Sequence, residues 1–197
     1  MNLDFEVTPD VLVPNPDTEV LVQRAVSWAR ERGGPVRVAD VGTGSGCIAV
    51  AVAHYLPEAR VWAGDDDDAA LAVAERNVRA HGLGDRVTLV QGDLLAPFPD
   101  GLDLVCANLP YVAEGTPLAA EVLAQPGHAL FAAEGGAALL RRLLGGAPAR
   151  LAPGVAVLTE VDPSVQEAVL GALEGYAGHR YHRDLGGHVR VLEAWIS

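Results

Sequence analysis

Short runs of β-branched and aliphatic residues alternate along this chain with longer stretches whose apolar positions recur at helical spacing. The first run, Val36-Arg-Val-Ala-Asp-Val41, predicts a buried strand, and strand-like runs recur at 60–64, 86–91, 102–107, 155–160 and 189–195. Helical patterns fill the intervals at 46–56, 67–80, 136–150 and 163–173, and one precedes the series at 17–32. In that first helix Leu21, Ala25 and Trp28 share an inward face, with Asp17 placed to cap its start and Gly33-Gly34 to stop it. An irregular leader with prolines at 9, 14 and 16 runs before it. Strands separated by single helices predict a doubly wound, three-layer α/β fold, a mostly parallel sheet with helices on both faces. The Pro/Gly-rich stretch 113–127 reads as a loop, so one domain is expected, with leader and first helix over 1–34 and the α/β core over 35–197.

The chain has 197 residues, half of them hydrophobic, which is ample for one core. No apolar run approaches the length of a membrane span, and no basic-then-apolar signal segment opens the chain, so a cytoplasmic protein is expected. Cys47 and Cys106 make no disulfide framework and read as reduced packing residues. The formal charge is −12, and all fourteen basic residues are arginine. Such acidity opposes nucleic-acid binding, which needs cations to replace phosphate counterions. It suits a cationic cofactor or a partner with a basic surface.

In doubly wound sheets ligands bind beyond the carboxyl ends of the strands, and the candidate chemistry falls there. Asp40-Val-Gly42-Thr43-Gly44-Ser45-Gly46 follows the first strand and opens a helix. Its glycines let a ligand approach the backbone, with the helix N-terminus facing it. Dinucleotide loops place the third glycine one residue later. The spacing here, with Asp40 two residues ahead, resembles the first motif of the S-adenosylmethionine-dependent methyltransferases. Asp65, roughly twenty residues beyond Gly42, is placed to accept the hydroxyls of a ribose. Asp66, Asp67 and Asp68 read as acids of a first helical turn. After the third strand, Asp93 is placed to accept from an adenine amino group, with Leu94 covering the ring.

The fourth strand ends in Asn108-Leu109-Pro110-Tyr111. A planar nitrogen has a delocalised lone pair and is a poor nucleophile. Two oxygens that accept both of its N–H groups favour a tetrahedral nitrogen and aim the emerging lone pair at an electrophile. The Asn108 side chain and the Leu109 carbonyl can be those oxygens, with Pro110 stiffening the turn and Tyr111 flanking the flat group.

The chain resembles the HemK/PrmC-type protein-(glutamine-N5) methyltransferases, which methylate a glutamine side chain of peptide chain release factors. The matching segments are Thr8-Pro-Asp-Val-Leu-Val-Pro14-Asn-Pro16-Asp17-Thr18-Glu19, Asp40 to Ala49, Gln91-Gly-Asp93-Leu94-Leu and Asn108-Leu-Pro-Tyr-Val112; Ala137 to Leu151 and Arg183-Asp-Leu-Gly-Gly187 agree more loosely. The resemblance implies a Rossmann-like class I methyltransferase fold, a seven-stranded sheet with its last strand antiparallel. It implies S-adenosylmethionine as cofactor, held by Asp40, Gly42, Thr43, Gly44, Ser45, Gly46, Asp65, Asp93, Leu94 and Asn108. It implies a release factor as protein substrate, with Asn108, Leu109, Pro110 and Tyr111 as the catalytic residues at its glutamine amide. Four features depart from the family. Leu109 stands where proline is usual and gives the Asn-Leu-Pro-Tyr of rRNA adenine dimethyltransferases. Asn15 replaces an arginine, and Glu160-Val-Asp162 replaces Glu-Ile-Gly. The bacterial enzymes' helical N-terminal domain is not seen, so the catalytic domain alone is expected; shorter relatives lack it too, some working with a small partner subunit. Two other readings stay open: an adenine-N6 methyltransferase on RNA or DNA, and a weakly catalytic cofactor-binding module acting through a partner.

His179, His182 and His188 read as one loop region, but their spacing matches no common zinc pattern and no metal is expected. His54, His81 and His128 read as helix-surface or loop residues.

Overall fold

The computed structural model describes residues 2–113, 115–117 and 125–197. Seven strands form one sheet: β1 (Arg37–Val41), β2 (Arg60–Asp65), β3 (Val87–Gln91), β4 (Leu104–Ala107), β5 (Ala156–Glu160), β6 (Tyr176–Arg183) and β7 (Val189–Ile196). Helices α1 (Thr18–Arg32), α2 (Cys47–Tyr55), α3 (Asp68–Ala80), α4 (Ala138–Arg150) and α5 (Gln166–Leu170) connect or flank them. The strand order is β3-β2-β1-β4-β5-β7-β6, parallel except for β7, which is antiparallel to both neighbours. The doubly wound, seven-stranded fold with its antiparallel last strand is therefore present.

Alternation along the strands divides the core in two. Val38, Leu104, Cys106, Ala156 and Leu158 face α1, α2 and α3, where Leu21, Ala25, Val50 and Val78 pack against them. Ala39, Val41, Val105, Ala107 and Val157 face α4 and α5, against Leu140, Leu143, Leu144 and Val169. Strands buried on both faces read as continuous apolar runs, which is why β1, β4 and β5 stand out in the sequence.

Several expectations are corrected. The polar segment 176–183 is a strand, so His179 and His182 lie on β6 rather than in a loop; His182 Nε2 lies 2.6 Å from Glu193 Oε2 on β7. His188 sits in the β6–β7 turn, its amide donating to Asp184. Asp17 occupies the cap position of α1 but makes no capping bond, because its carboxylate pairs with Arg190 at 3.0 Å. The last helix is shorter than its pattern, Gln166–Leu170 instead of 163–173. Trp28 is only partly buried at the edge of the core, with the Arg32 guanidinium 5.5 Å from its ring. Of the expected loop 113–127, Ala113 pairs with Ala132 in a two-residue bridge, Gly127 opens a helical turn, and 114 and 118–124 lie outside the described residues. Among the described residues no helix is long and apolar enough to cross a membrane.

The irregular leader folds back over the carboxyl ends of the strands. Asn77 on α3 clamps it there: Nδ2 donates to the Glu6 carbonyl at 2.9 Å and to the Ser45 carbonyl at 2.8 Å, while Oδ1 accepts from the Glu6 amide. Val11 is buried against Ala70 and Val73 of the same helix.

Candidate active site

Strand register fixes which residues meet. Val41 pairs with Gly64 and with Ala107, so Gly42, Asp65 and Asn108 emerge side by side from β1, β2 and β4. Asp65 pairs with Gln91, which brings Asp93 to the same edge, and Ala107 pairs with Thr159, which sets Glu160 beside Asn108.

The glycine loop turns tightly between β1 and α2. Gly42, Gly44 and Gly46 all have positive φ, and the Gly42 and Thr43 amides both donate to the Gly64 carbonyl at 2.9 Å. At Gly42 a side chain is also excluded by contact, since a Cβ there would lie 2.7 Å from Leu109 Cδ2. Asp40 supports the loop from beneath. Its Oδ2 accepts from Thr43 Oγ1 at 2.6 Å and from the Ala49 amide at 3.0 Å, whereas Oδ1 is buried without a hydrogen-bond partner. Burial pushes its pKa up from 3.8 to about 7, against the pull of those two bonds.

Two cavities open at the strand ends. The first, about 340 Å³, is lined by Gly42, Gly44, Asp65, Asp66, Asp93 and Leu94, and is roofed by Asp10, Val11 and Leu12 of the leader. Asp65 accepts from the Gly44 amide at 2.9 Å and the Asp67 amide at 3.2 Å, and burial raises its pKa. Asp93 pairs with Arg142 at 2.5 Å, and Leu94 holds a left-handed φ of 45°. Strain of this kind clusters where structure is over-determined by function. Four aspartates and no cationic side chain line this cavity among the described residues, which favours a cationic ligand.

The second cavity, about 350 Å³, is lined by Val13 to Pro16, Tyr111, Val112, Gln125, Leu130 and Glu160. Both cavities share Leu12, Asn108, Leu109, Pro110 and Ala129, so the two spaces meet at Asn108. Asn108 Nδ2 donates to Thr18 Oγ1 at 3.1 Å, and Thr18 Oγ1 donates to Glu160 Oε2 at 2.7 Å. Tyr111 donates its hydroxyl to the other Glu160 oxygen at 3.0 Å. Burial raises the pKa of Glu160, opposed by the bonds from Thr18 and Tyr111.

A family model described as the methyltransferase small domain matches residues 17–148. The release factor glutamine methyltransferase of Bordetella pertussis is 45% identical over 198 residues, spanning 98% of this chain and 72% of that protein. That of Moorella thermoacetica is 42% identical over 204 residues, spanning 99% and 71%. The chain belongs to the release factor glutamine methyltransferase family. The fold of this methyltransferase is also that of the catalytic domain of human METTL16 solved in complex with an RNA hairpin, with a TM-score of 0.76 at 19% identity over 98% of this chain and 75% of that one.

Methyltransferases of this family use S-adenosylmethionine. The residues present fit it. The first cavity is acidic where the cofactor is cationic, Asp65 and Asp66 offer acceptors for hydroxyls, and Leu94 and Leu139 offer apolar cover for a ring. The orphaned Oδ1 of Asp40 is an acceptor without a donor at the base of the loop.

Of the residues named from sequence, Gly42, Gly44, Asp65, Asp93, Leu94, Asn108, Leu109 and Pro110 line the first cavity, and Tyr111 the second. Asp40, Thr43, Ser45 and Gly46 line neither. Thr43 and Ser45 are buried behind the loop, where Thr43 serves Asp40. Asp66, read only as a helix acid, lines the cavity beside Asp65, whereas Asp67 does cap α3 by accepting from the Ala69 amide. Sequence reasoning passed over Thr18, and it noted Glu160 only as part of a departure. The signal for both was position, since Glu160 ends a strand at the ligand edge and Thr18 sits inside the leader motif. Gly136 was missed as well; a Cβ there would lie 2.0 Å from the Tyr111 carbonyl oxygen, so only glycine lets that turn brace the Asn108–Tyr111 segment.

Proposed function

We propose that this protein transfers a methyl group from S-adenosylmethionine to the side-chain amide nitrogen of a glutamine in a peptide chain release factor. The observation that carries this reading is Asn108, whose amide NH2 is tied back to Thr18 at the point where an acidic cavity meets a largely apolar one.

Gly42 and Gly44 would hold the amino-acid part of the cofactor, with Asp40 as counter-charge beneath. Asp65 would take the ribose hydroxyls, and Asp93 with Leu94 the adenine. When bound, S-adenosylmethionine supplies a sulfonium methyl, an electrophile that needs no acid catalyst. Asn108 Oδ1 and the Leu109 carbonyl accept the two N–H groups of the acceptor amide and favour a pyramidal nitrogen, whose lone pair then points into the first cavity. Pro110 fixes the chain directly after these two acceptors, and the Tyr111 ring walls the second cavity beside them. No resident base is required, because the cationic, N-protonated methylamide first formed is strongly acidic and gives its extra proton to water at the cavity mouth.

The Leu109 departure is compatible with this chemistry. Its side chain is buried over Gly42, leaving the contact expected of that position to the backbone carbonyl. A nucleic-acid acceptor is disfavoured by two cavities with no arginine among their described lining residues and by a net charge of −12. A cytoplasmic location, where release factors act, belongs to the same reading. Transfer of labelled methyl to a purified release factor of the same organism tests it, with Asn108→Ala as control. Asn108→Ala should bind S-adenosylhomocysteine within about two-fold of the unmodified protein yet lose roughly 100-fold in turnover; retained turnover would defeat the orienting role. Turnover by the single chain would also show that it needs no small partner subunit of the kind some shorter relatives use.

A further inference from the structure

The leader motif Asp17-Thr18-Glu19 and the strand-end acid Glu160 have no part in the chemistry above, yet the fold joins them to its centre. Glu160 is only 1% exposed, and its two oxygens accept from one side chain behind the acceptor space and one that lines it: Thr18 Oγ1 at 2.7 Å, and Tyr111 Oη at 3.0 Å. A threonine hydroxyl has a single proton to give. Since that proton goes to Glu160, Thr18 Oγ1 can offer Asn108 only a lone pair. The NH2 end of the Asn108 amide must therefore face Thr18, 3.1 Å away, and its oxygen must face the other way. Were the hydroxyl to donate to Asn108 instead, the amide would turn over and present a donor where the acceptor amide needs an acceptor.

Building on the reading of Asn108 as a hydrogen-bond acceptor for the substrate amide, we propose that Glu160 and Thr18 are positioning residues. The Glu160 carboxylate polarises the Thr18 hydroxyl and so sets which end of the Asn108 amide points into the cleft, while its second oxygen holds the Tyr111 ring in place. Thr18 lies on α1, 5% exposed, and lines neither of the two cavities, so any effect of its hydroxyl on catalysis passes through Asn108 or Glu160. The contact spans 142 positions of sequence between Thr18 and Glu160, which links the leader motif to the far half of the sheet.

Thr18→Val removes the hydroxyl and keeps the branched shape; Thr18→Ser keeps the hydroxyl. The first readout needs neither acceptor nor cofactor. The chain has four asparagines, so side-chain amide signals in 15N-asparagine-labelled protein are few, and Asn108→Ala identifies the one of interest. In the unmodified protein and in Thr18→Ser, that amide should show a proton contact to residue 18 and slow solvent exchange; in Thr18→Val both should be lost. The second readout is methyl transfer. Thr18→Val should lower kcat roughly 10- to 100-fold, as expected for a misoriented group, with cofactor affinity and KM for the release factor unchanged and Thr18→Ser restoring most of the rate. Unchanged kcat in Thr18→Val, or a Thr18→Ser variant equally slow, would overturn the proposal, as would an unmodified Asn108 amide that shows no contact to Thr18. If the unmodified protein fails to methylate the release factor while the amide behaves as described, the acceptor assignment fails and the positioning holds. Should Thr18→Val lower the unfolding midpoint markedly, Glu160→Leu serves instead. It removes the acceptor that takes the Thr18 proton, which frees that hydroxyl to donate to Asn108, and it should slow turnover without loosening cofactor binding; an unimpaired Glu160→Leu would equally overturn the proposal.

Discussion

Replacing Asp40 by asparagine should make the ligand-free protein more stable in alkali and a poorer binder of cofactor. Asp40 is fully buried, and its pKa lies at about 7 in the fold against 3.8 ordinarily, chiefly because burial disfavours the charge, with Asp65 adding repulsion. Between those two values the unfolded chain has released the proton and the native state still holds it. Native Asp40 therefore makes stability fall as pH rises through that window, and contributes no further slope above about 7. At 1.36 kcal/mol per pH unit, the loss between pH 5.5 and pH 8 is about 2 kcal/mol. Asparagine fits the site, because one oxygen already takes both hydrogen bonds and the other takes none. Asp40→Asn should thus match the unmodified protein within about 1 kcal/mol at pH 5.5 and exceed it by about 2 kcal/mol at pH 8. Urea unfolding at the two values reads the difference, and titrating groups that do not interact with Asp40 cancel in it. Loss of the counter-charge beneath the loop should weaken S-adenosylhomocysteine binding at pH 8 by roughly 10-fold, the worth of a charge acting through the loop and not by direct contact. A variant destabilised equally at both pH values would refute the burial argument, and unchanged affinity would remove Asp40 from the site.

Gly42→Ala places a Cβ 2.7 Å from Leu109 Cδ2 at a φ of +69°, so it should cost about 2 kcal/mol or more and weaken cofactor binding together with turnover. An unfolding midpoint and affinity like those of the unmodified protein would show the loop to be looser than described. Asp65→Ala deletes the acceptor that ties the Gly44 amide to β2, and calorimetry should find cofactor affinity reduced with the fold retained; full affinity would take Asp65 out of the ribose site.

What could be read from sequence followed from burial. β1, β4 and β5 are continuous apolar runs because both of their faces are covered, and their ends gave the ligand edge directly. β6 was invisible for the converse reason. As an edge strand, Tyr-Ala-Gly-His-Arg-Tyr-His-Arg mixes half-buried with exposed positions without strict alternation, carries no apolar run, and pairs its charges with Glu193 instead of a core. Motif spacing marked the glycine loop but not which way each side chain turns; Gly42 and Gly44 reach the cavity, while Thr43 and Ser45 turn inward. Asp17 stood where a cap belongs, but the competing charge of Arg190 comes from a strand far along the chain. The Thr18–Glu160–Tyr111 cluster escaped for the same reason, since only the folded sheet brings the leader to the end of β5.

The most direct test of the central claim is to locate the transferred methyl group. A purified release factor incubated with this protein and S-adenosylmethionine, digested and sequenced by tandem mass spectrometry, should carry one added methyl on a glutamine side-chain nitrogen, absent when Asn108→Ala replaces the unmodified protein. A methyl on any other group, or incorporation only into RNA or DNA offered in parallel, would contradict the account.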